Sequence, residues 1–227
     1  MDGARHNPLI VALDLADLDR AEDMASRLTG VAGMLKVGLE LFVANGPDVV
    51  RRIARHAPVF LDLKLHDIPT QVGRAARAAG RLGPRLLTVH ALGGEPMVAA
   101  AVEGAARGAE EVGAEGPKVI AVTVLSSVGG ESLASPASLA FEAVAAGAAG
   151  VVASGDDVRE VRQVLGEEPV VVVPGVRPGT LRSNDHVRVL TPSEALRAGA
   201  DHIVVGRPIT ESSDPAATAR AVLAETG

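Results

Sequence analysis

The sequence contains no cysteine, no tryptophan and no tyrosine, and only three phenylalanines. Without cysteine, the chain can form no disulfide, offer no thiolate nucleophile and hold no zinc ion through sulfur. The scarcity of aromatic side chains removes the stacking platforms on which proteins bind single-stranded nucleic acid. These absences exclude disulfide-stabilised, thiolate-dependent and zinc-thiolate proteins, and they disfavour binding of single-stranded nucleic acid.

The chain also lacks long hydrophobic runs and a broad basic region. No apolar run reaches the ~20 residues that cross a bilayer, so we expect no membrane span or secretory signal and predict a cytoplasmic protein. The net charge of -6, with acidic and basic residues interspersed, makes polymeric nucleic acid an unexpected partner. A small anion could still be held by a few local cations.

Short apolar runs rich in β-branched residues and leucine alternate with stretches of helical character, eight times in 227 residues. The predicted strands are 9–15, 34–39, 59–65, 85–91, 118–125, 150–154, 170–176 and 202–207. The predicted helices are 18–28, 47–56, 70–82, 95–112, 136–146, 158–165, 192–198 and 215–225. Prolines 47, 136, 192 and 215 follow small or polar residues and predict helix starts at the first helical position.

Eight strand and helix units in a chain of this length predict an α/β fold, a single (β/α)8 TIM barrel with parallel strands and outer helices. No linker or charge block interrupts the pattern, so residues 1–227 are predicted to form one catalytic domain. An open doubly wound sheet is the alternative. It needs a glycine-rich turn after the first strand, and residues 13–17 contain no glycine.

Charged residues interrupt the third predicted strand, where apolar residues are expected. Side chains alternate across a strand, so Asp62 and Lys64 share one face while the neighbouring leucines share the other. With the leucines packed on the helices, both charges point into the barrel, where an isolated charge is costly. They are therefore expected to be paired or to serve a site, and Asp67 follows in a loop of the kind that barrels use for catalysis.

Further titratable residues stand near the ends of the neighbouring strands. Asp14 ends the first, Lys36 lies within the second, and His90 ends the fourth. A structural ion pair would explain Asp62 and Lys64 alone. Charged or titratable residues on four consecutive strands, however, favour a site at the carboxyl ends of the barrel.

Glycine and arginine follow the seventh and eighth strands, at Gly175 with Arg177 and at Gly206 with Arg207. Barrels commonly bind phosphate at these two strand ends, where backbone N–H groups and a guanidinium hold the oxygens. The two pairs together predict a phosphorylated substrate.

Taken together, these segments resemble the orotidine 5'-phosphate decarboxylase family of the bacterial type over nearly the whole chain. The core pattern of Asp62, Lys64 and Asp67 is shared with related barrels that act on keto-sugar phosphates, so the ordered series carries the resemblance. Its motifs are ALD at 12–14, KVGLELF at 36–42, DLKLHDIPT at 62–70, TVHA at 88–91, AVTVLSS at 121–127, PGVR at 174–177 and VGRPIT at 205–210.

The resemblance implies decarboxylation of orotidine 5'-monophosphate to uridine 5'-monophosphate and carbon dioxide in de novo pyrimidine biosynthesis, without metal or organic cofactor. By this resemblance Lys64 protonates C6 of the pyrimidine, and Asp62 lies against the substrate carboxylate. Lys36 holds Asp62 and a ribose hydroxyl. Asp67 comes from the second subunit of a homodimer.

The resemblance also implies the residues that bind the substrate. Asp14 and Thr70 would contact ribose hydroxyls and Ser126 the pyrimidine edge, while His186 stands where the family usually has a phosphate-side glutamine. The segment 127–147 also looks shorter than in the family. The substrate-binding residues are Asp14, Lys36, Thr70, Ser126, Pro174, Arg177, His186, Gly206 and Arg207.

Two other functions stay open on the sequence. A keto-sugar phosphate decarboxylase or aldolase of the same barrel superfamily would use Asp62 and a neighbouring acid to hold magnesium against an enediolate. The segment Leu125-Ser126-Ser127 and Lys36 disfavour it. A non-catalytic nucleotide-binding barrel is expected to have lost Lys64 or Asp67, and both are present.

Overall fold

The computed structural model describes residues 7–124, 135–155, 157–179 and 190–226. The strands are β1 (Leu9–Ala12), β2 (Met34–Gly38), β3 (Val59–Leu65), β4 (Leu86–His90), β5 (Lys118–Val122), β6 (Gly150–Val152), β7 (Val170–Val173) and β8 (His202–Val205). They run parallel in chain order, and the barrel closes because β1 pairs with both β2 and β8. The predicted fold class is confirmed.

Helices follow the strands and lie outside the barrel. The α-helices in the described residues are α1 (Leu18–Arg27), α2 (Leu39–Asn45), α3 (Asp48–Ile53), α4 (Pro69–Gly80), α5 (Gly94–Glu110), α6 (Pro136–Ala145), α7 (Asp157–Leu165), α8 (Pro192–Ala198), α9 (Arg207–Thr210) and α10 (Pro215–Ala224). A short 3₁₀ helix, Ala91–Gly93, lies between β4 and α5. No helix within the described ranges is both long and apolar enough to span a membrane.

Two helices were missed by the sequence analysis, α2 directly after β2 and α9 directly after β8. In α2 an apolar run continues the apolar strand, so periodicity gave no boundary between them. Leu41 is buried there while Leu39 and Val43 point to solvent. The predicted strands 34–39 and 202–207 therefore run too far, because Leu39 and Arg207 already open helices.

The proline signals were correct in three of four cases. Pro136, Pro192 and Pro215 each open a helix behind a residue whose side chain accepts a backbone N–H. The prediction for Pro47 was wrong: this residue is the N-cap, and its helix begins at Asp48. Pro47 already has helical backbone angles of φ -61° and ψ -24°. Composition alone could not tell a cap from the first helical turn.

Strand alternation divides the buried side chains into two apolar clusters. The odd-numbered residues of β3, Leu61, Leu63 and Leu65, pack in the outer cluster between strands and helices, as predicted. Phe60 faces the barrel interior. The interior cluster contains Ile10, Ala12, Met34, Phe60, Leu86, Ile120, Val122, Val152, Val172 and Val204. Asp62 is two residues after Phe60 in β3, so its side chain points to the same face of the strand. It lies next to the interior cluster, on the side of the carboxyl ends of the strands.

Candidate active site

Four side chains of alternating charge form a chain across the carboxyl ends of β1, β2 and β3. The Nζ of Lys36 lies 2.8 Å from Oδ1 of Asp14 and 3.8 Å from Oδ2 of Asp62. The Nζ of Lys64 lies 2.8 Å and 2.7 Å from the two oxygens of Asp62. Each cation is therefore adjacent to a carboxylate, and the sequence-predicted Asp14, Lys36, Asp62 and Lys64 are brought together.

Among these four charged side chains, the two in the middle of the row are largely buried and the two at its ends are more exposed to solvent. The side chains of Lys36 and Asp62 are each 12% exposed, whereas that of Lys64 is 37% and that of Asp14 60% exposed. The ammonium of Lys36 and the carboxylate of Asp62 are largely shielded from water and need partners of opposite charge, because unpaired buried charges are energetically costly. The two exposed ends leave room for a ligand beside Lys64 and Asp14.

The backbone of β3 departs from a regular strand at Lys64. Its φ angle is +50°, which puts Lys64 in the left-handed region that non-glycine residues rarely adopt. The pairing register between β3 and β4 shifts between Leu61 and Leu65. Strained backbone of this kind is concentrated at functional sites, where surrounding contacts hold it.

Thr88 of β4 contacts both members of the β3 pair. Its side-chain oxygen accepts a hydrogen bond from the backbone N–H of Lys64 at 2.9 Å and donates one to Oδ1 of Asp62 at 2.9 Å. Thr88 is completely buried. Thr88 belongs to the TVHA motif at 88–91, but no role was predicted for it. The available signal was a hydroxyl on the interior-facing side of an otherwise apolar strand.

Two glycines border the charge chain. A Cβ atom on Gly38 would lie 2.9 Å from Nζ of Lys36 and 3.1 Å from Oδ1 of Asp14, so glycine leaves the space in which these groups meet. A Cβ atom on Gly206 would lie 3.9 Å from Oδ2 of Asp14. The glycine after β8 is therefore a neighbour of the carboxylate after β1. Gly38 was not among the predicted site residues.

Two histidine rings lie near Lys64, at one end of the row of four charged side chains. The ring centroids of His66 and His90 are 5.2 Å apart, with an angle of 36° between the planes. Burial lowers the pKa of His90, the neighbouring His66 and Lys64 lower it further, and Asp62 opposes them. The Nδ1 atom of His90 is buried and has no hydrogen-bond partner among the described residues. The lowered pKa favours the neutral form of His90 next to a lysine.

Asp67 and Thr70 lie just beyond β3 and are exposed. Oδ1 of Asp67 accepts the backbone N–H of Ile68 at 2.6 Å, and within the described residues Asp67 forms no ion pair. Thr70 is the second residue of α4. Within one chain, neither residue joins the charge network.

The predicted phosphate-side residues flank the ends of β7 and β8. Pro174 and Arg177 follow β7 and are half-buried, and Arg177 donates its backbone N–H to the carbonyl of Leu190 at 3.1 Å. Gly206 is the N-cap of α9, and the exposed Arg207 is its first residue. Ser126 and His186, the other two predicted contacts, lie outside the described residues.

Residues 7–222 match the family model described as the Orotidine 5'-phosphate decarboxylase / HUMPS family. The chain belongs to this family. The match extends from the residues before β1 into α10 and so includes all eight strands. The family resemblance predicted from the sequence is confirmed.

Curated relatives and solved structures agree with this family. The chain is 50% identical to the orotidine 5'-phosphate decarboxylase of Anaeromyxobacter sp. (strain K), covering 95% of this chain and 96% of the relative. It is 47% identical to that of Moorella thermoacetica, covering 96% of this chain and 91% of the relative. The crystal structure of orotidine 5'-phosphate decarboxylase from Lactobacillus acidophilus superposes with a TM-score of 0.84 at 36% identity, covering 97% and 99% of the two chains.

Proposed function

We propose that this protein decarboxylates orotidine 5'-monophosphate to uridine 5'-monophosphate and carbon dioxide in pyrimidine biosynthesis. The observation that carries the proposal is the alternating chain of Asp14, Lys36, Asp62 and Lys64 at the carboxyl ends of the strands. Family membership and the names of relatives at 47–50% identity support it.

Lys64 is the proton donor of the proposed reaction. The bond between C6 and the carboxylate breaks, its electron pair stays on C6, and carbon dioxide leaves. The ammonium of Lys64 then gives a proton to C6, and the neutral amine regains a proton from solvent. No adjacent carbonyl delocalises this electron pair well, so fixed charges and a positioned acid have to lower the barrier.

Asp62 and Lys36 hold the donor in place. Both oxygens of Asp62 lie within 2.8 Å of Nζ of Lys64, which fixes the amine on the side where C6 is to be protonated. In the proposal Asp62 lies against the substrate carboxylate, and Lys36 steadies Asp62 and binds a ribose hydroxyl. Groups that are already oriented before the substrate arrives require no reorganisation during the reaction.

The remaining predicted residues bind the parts of the substrate that do not react. Asp14 and Thr70 bind ribose hydroxyls, Ser126 contacts the pyrimidine edge, and His186 lies on the phosphate side. Binding energy from phosphate and ribose then holds the ring against the charges, which is how remote contacts accelerate a reaction. The proposed phosphate-binding residues are Arg177, Gly206 and Arg207, and Pro174 is a further proposed substrate-binding residue.

We further propose that the reaction needs neither metal nor organic cofactor. Both carboxylates of the charge network are already engaged by ammonium groups, Asp14 by Lys36 at 2.8 Å and Asp62 by Lys64 at 2.7 Å. Magnesium prefers carboxylate oxygens that no cation occupies, as well as several water ligands. The charge arrangement therefore favours a proton donor over a metal.

The test is to incubate the purified protein with orotidine 5'-monophosphate in EDTA and to follow the loss of the orotate absorbance. Full turnover in EDTA is expected. Turnover restored only by magnesium contradicts cofactor independence and favours the keto-sugar phosphate alternative. Tight binding of uridine 5'-monophosphate without any turnover indicates the non-catalytic alternative.

We also propose that the whole chain is one catalytic domain that works as a homodimer, with Asp67 completing the partner's site. Exposed apolar side chains follow three adjacent strands at the mouth, namely Leu39 and Val43 after β2, Ile68 after β3 and Leu92 after β4. Such side chains on one rim are typical of an interface. Asp67 lies beside Ile68 and has no cation partner among the described residues of its own chain.

Subunit mixing tests the shared site. Inactive Asp67→Asn and Lys64→Ala proteins are mixed, allowed to exchange subunits, and assayed. One of the two hybrid sites then contains both residues intact, so part of the activity is expected to return. If exchange is demonstrated by mass and no activity returns, Asp67 does not act across the interface.

A further inference from the structure

We propose that Thr88 is a positioning residue for the reaction: its single hydroxyl fixes the strained backbone of Lys64 and the carboxylate of Asp62 together. This inference rests on the proposed function, since it concerns the same pair of reacting groups. The proposal gives β4 a role in catalysis, because Thr88 belongs to β4 while Asp62 and Lys64 belong to the adjacent strand β3.

The direction of both hydrogen bonds is determined by chemistry. An ionised carboxylate only accepts, so the hydroxyl proton of Thr88 points to Oδ1 of Asp62, 2.9 Å away. The backbone N–H of Lys64 only donates, so it points to a lone pair of the same oxygen, also 2.9 Å away. Both the proton and an acceptor site of the hydroxyl are used, and the group cannot rotate without losing a bond.

These two bonds act where β3 is irregular. Lys64 has a φ angle of +50°, and the register between β3 and β4 shifts at this point. A non-glycine residue stays in the left-handed region only when its surroundings hold it there. The bond from the Lys64 N–H to Thr88 is such a restraint, because it ties the peptide to a side chain that is completely buried.

The hydroxyl of Thr88 also orients the carboxylate of Asp62. Oδ1 of Asp62 receives both Thr88 and Nζ of Lys64, while Oδ2 receives Nζ alone at short range. Removing the hydroxyl leaves the carboxylate of Asp62 held only by the flexible lysine side chains, and it leaves the Lys64 peptide without this acceptor. Nζ of Lys64 then moves relative to the substrate, although the groups proposed to bind phosphate and ribose are untouched.

The substitution Thr88→Val tests this, because valine keeps the shape and lacks the hydroxyl. We expect kcat to fall about 100-fold, as for a misplaced catalytic group, with KM and the affinity for uridine 5'-monophosphate changed less than about threefold. Thr88→Ser restores the hydroxyl and is expected to recover most of kcat. The matched control is Thr123→Val directly after the neighbouring strand β5, where a buried hydroxyl donates to the carbonyl of Val152 at 3.0 Å.

Crystal structures of the parent, Thr88→Val and Thr88→Ser proteins give a readout that does not depend on activity. In Thr88→Val we expect Lys64 to leave positive φ, or its Nζ to leave hydrogen-bond distance of Asp62, and in Thr88→Ser neither. Unchanged Lys64 and Asp62 geometry in Thr88→Val overturns the proposal, as does an unchanged kcat. If the parent protein does not turn over the substrate, the proposed function fails while the structures still decide the role of Thr88.

Discussion

The first three strands and the last two place charged residues at the same end of the barrel, but they hold them differently. After β1 to β3, the side chains of Asp14, Lys36, Asp62 and Lys64 each lie against an opposite charge. After β7 and β8, the side chains of Arg177 and Arg207 form no hydrogen bond or ion pair within the described residues. The half after β1 to β3 has these four charges already in contact with one another, and the half after β7 and β8 has guanidinium donors without a partner in the described residues.

Burial explains this difference. Lys36 and Asp62 sit above the apolar interior cluster, where an unpaired charge would destabilise the fold. Arg207 is exposed, so water can satisfy its guanidinium until a ligand replaces the water. The comparison indicates that the proposed reacting charges are arranged by folding, whereas the proposed phosphate contacts form on binding. Substitutions in the two halves should therefore affect different kinetic constants.

The largest effect is expected from Lys64→Ala in the first half. Loss of the proton donor should lower kcat on the order of 10³-fold or more, since it also leaves Asp62 without its closest cation. Binding of a uridine 5'-monophosphate analogue, measured by calorimetry, should persist because the arginines remain. The control is Lys118→Ala, which changes an exposed lysine at the first residue of β5, at the end of the barrel opposite the proposed site. A Lys64→Ala enzyme that keeps a tenth of its activity would exclude Lys64 as the donor.

Arg207→Ala in the second half should show the opposite pattern. A charge-assisted hydrogen bond contributes about 1.5–3 kcal/mol, so KM should rise about 10- to 100-fold while kcat changes less. Steady-state kinetics measure both constants, and Arg220→Ala on α10 serves as a control with an exposed arginine on an outer helix. An equal loss of kcat with unchanged KM would break the division between the two halves.

Gly38→Ala should lower catalytic efficiency by disturbing the charges after β1 to β3, without destabilising the fold. The new Cβ would lie 2.9 Å from Nζ of Lys36, the movable end of a flexible side chain, and φ at Gly38 is an ordinary -88°. We expect kcat/KM to fall about 10-fold from displaced charge, and the free energy of unfolding to change by less than about 0.5 kcal/mol. Gly116→Ala, whose Cβ would meet only Ala106 at 3.5 Å, is the control. Unchanged kinetics would show that the Lys36 position is not critical.

The smallest effect concerns His90 and the pH dependence of stability. Because burial lowers its pKa in the folded state, the unfolded chain binds a proton first as the pH falls. The free energy of unfolding should therefore decrease from about pH 6.5 downward, until His90 protonates in the folded state. His90→Gln should flatten this decrease, as measured by urea unfolding between about pH 5 and 8. The difference near pH 8 isolates any uncharged effect, and parallel profiles of both proteins would contradict the prediction.

The sequence determined the larger features of this protein. Eight apolar runs separated by helical stretches predicted the closed barrel, because alternation and length leave few other ways to bury both faces of parallel strands. Asp62 and Lys64 were predicted to point inward from the alternation of β3 with its leucines on the helices. The cost of buried charge predicted that they are paired or serve a site, and in the structure they are paired. Family motifs supplied the proposed roles, and the single-domain extent and the use of Asp67 between subunits stay predictions.

Only the tertiary structure decided how these groups are held. The left-handed backbone of Lys64 and the register shift between β3 and β4 occur where the Lys64 N–H donates a hydrogen bond to Thr88, which lies 24 residues away in the chain. Gly206 lies close to Asp14, since a Cβ atom on the glycine would be 3.9 Å from Oδ2, although the two residues are far apart in the sequence. The start of α2 at Leu39 depends on which face of an apolar run finds a buried neighbour. Such features arise from packing between distant segments, and local sequence patterns contain no information on those distances.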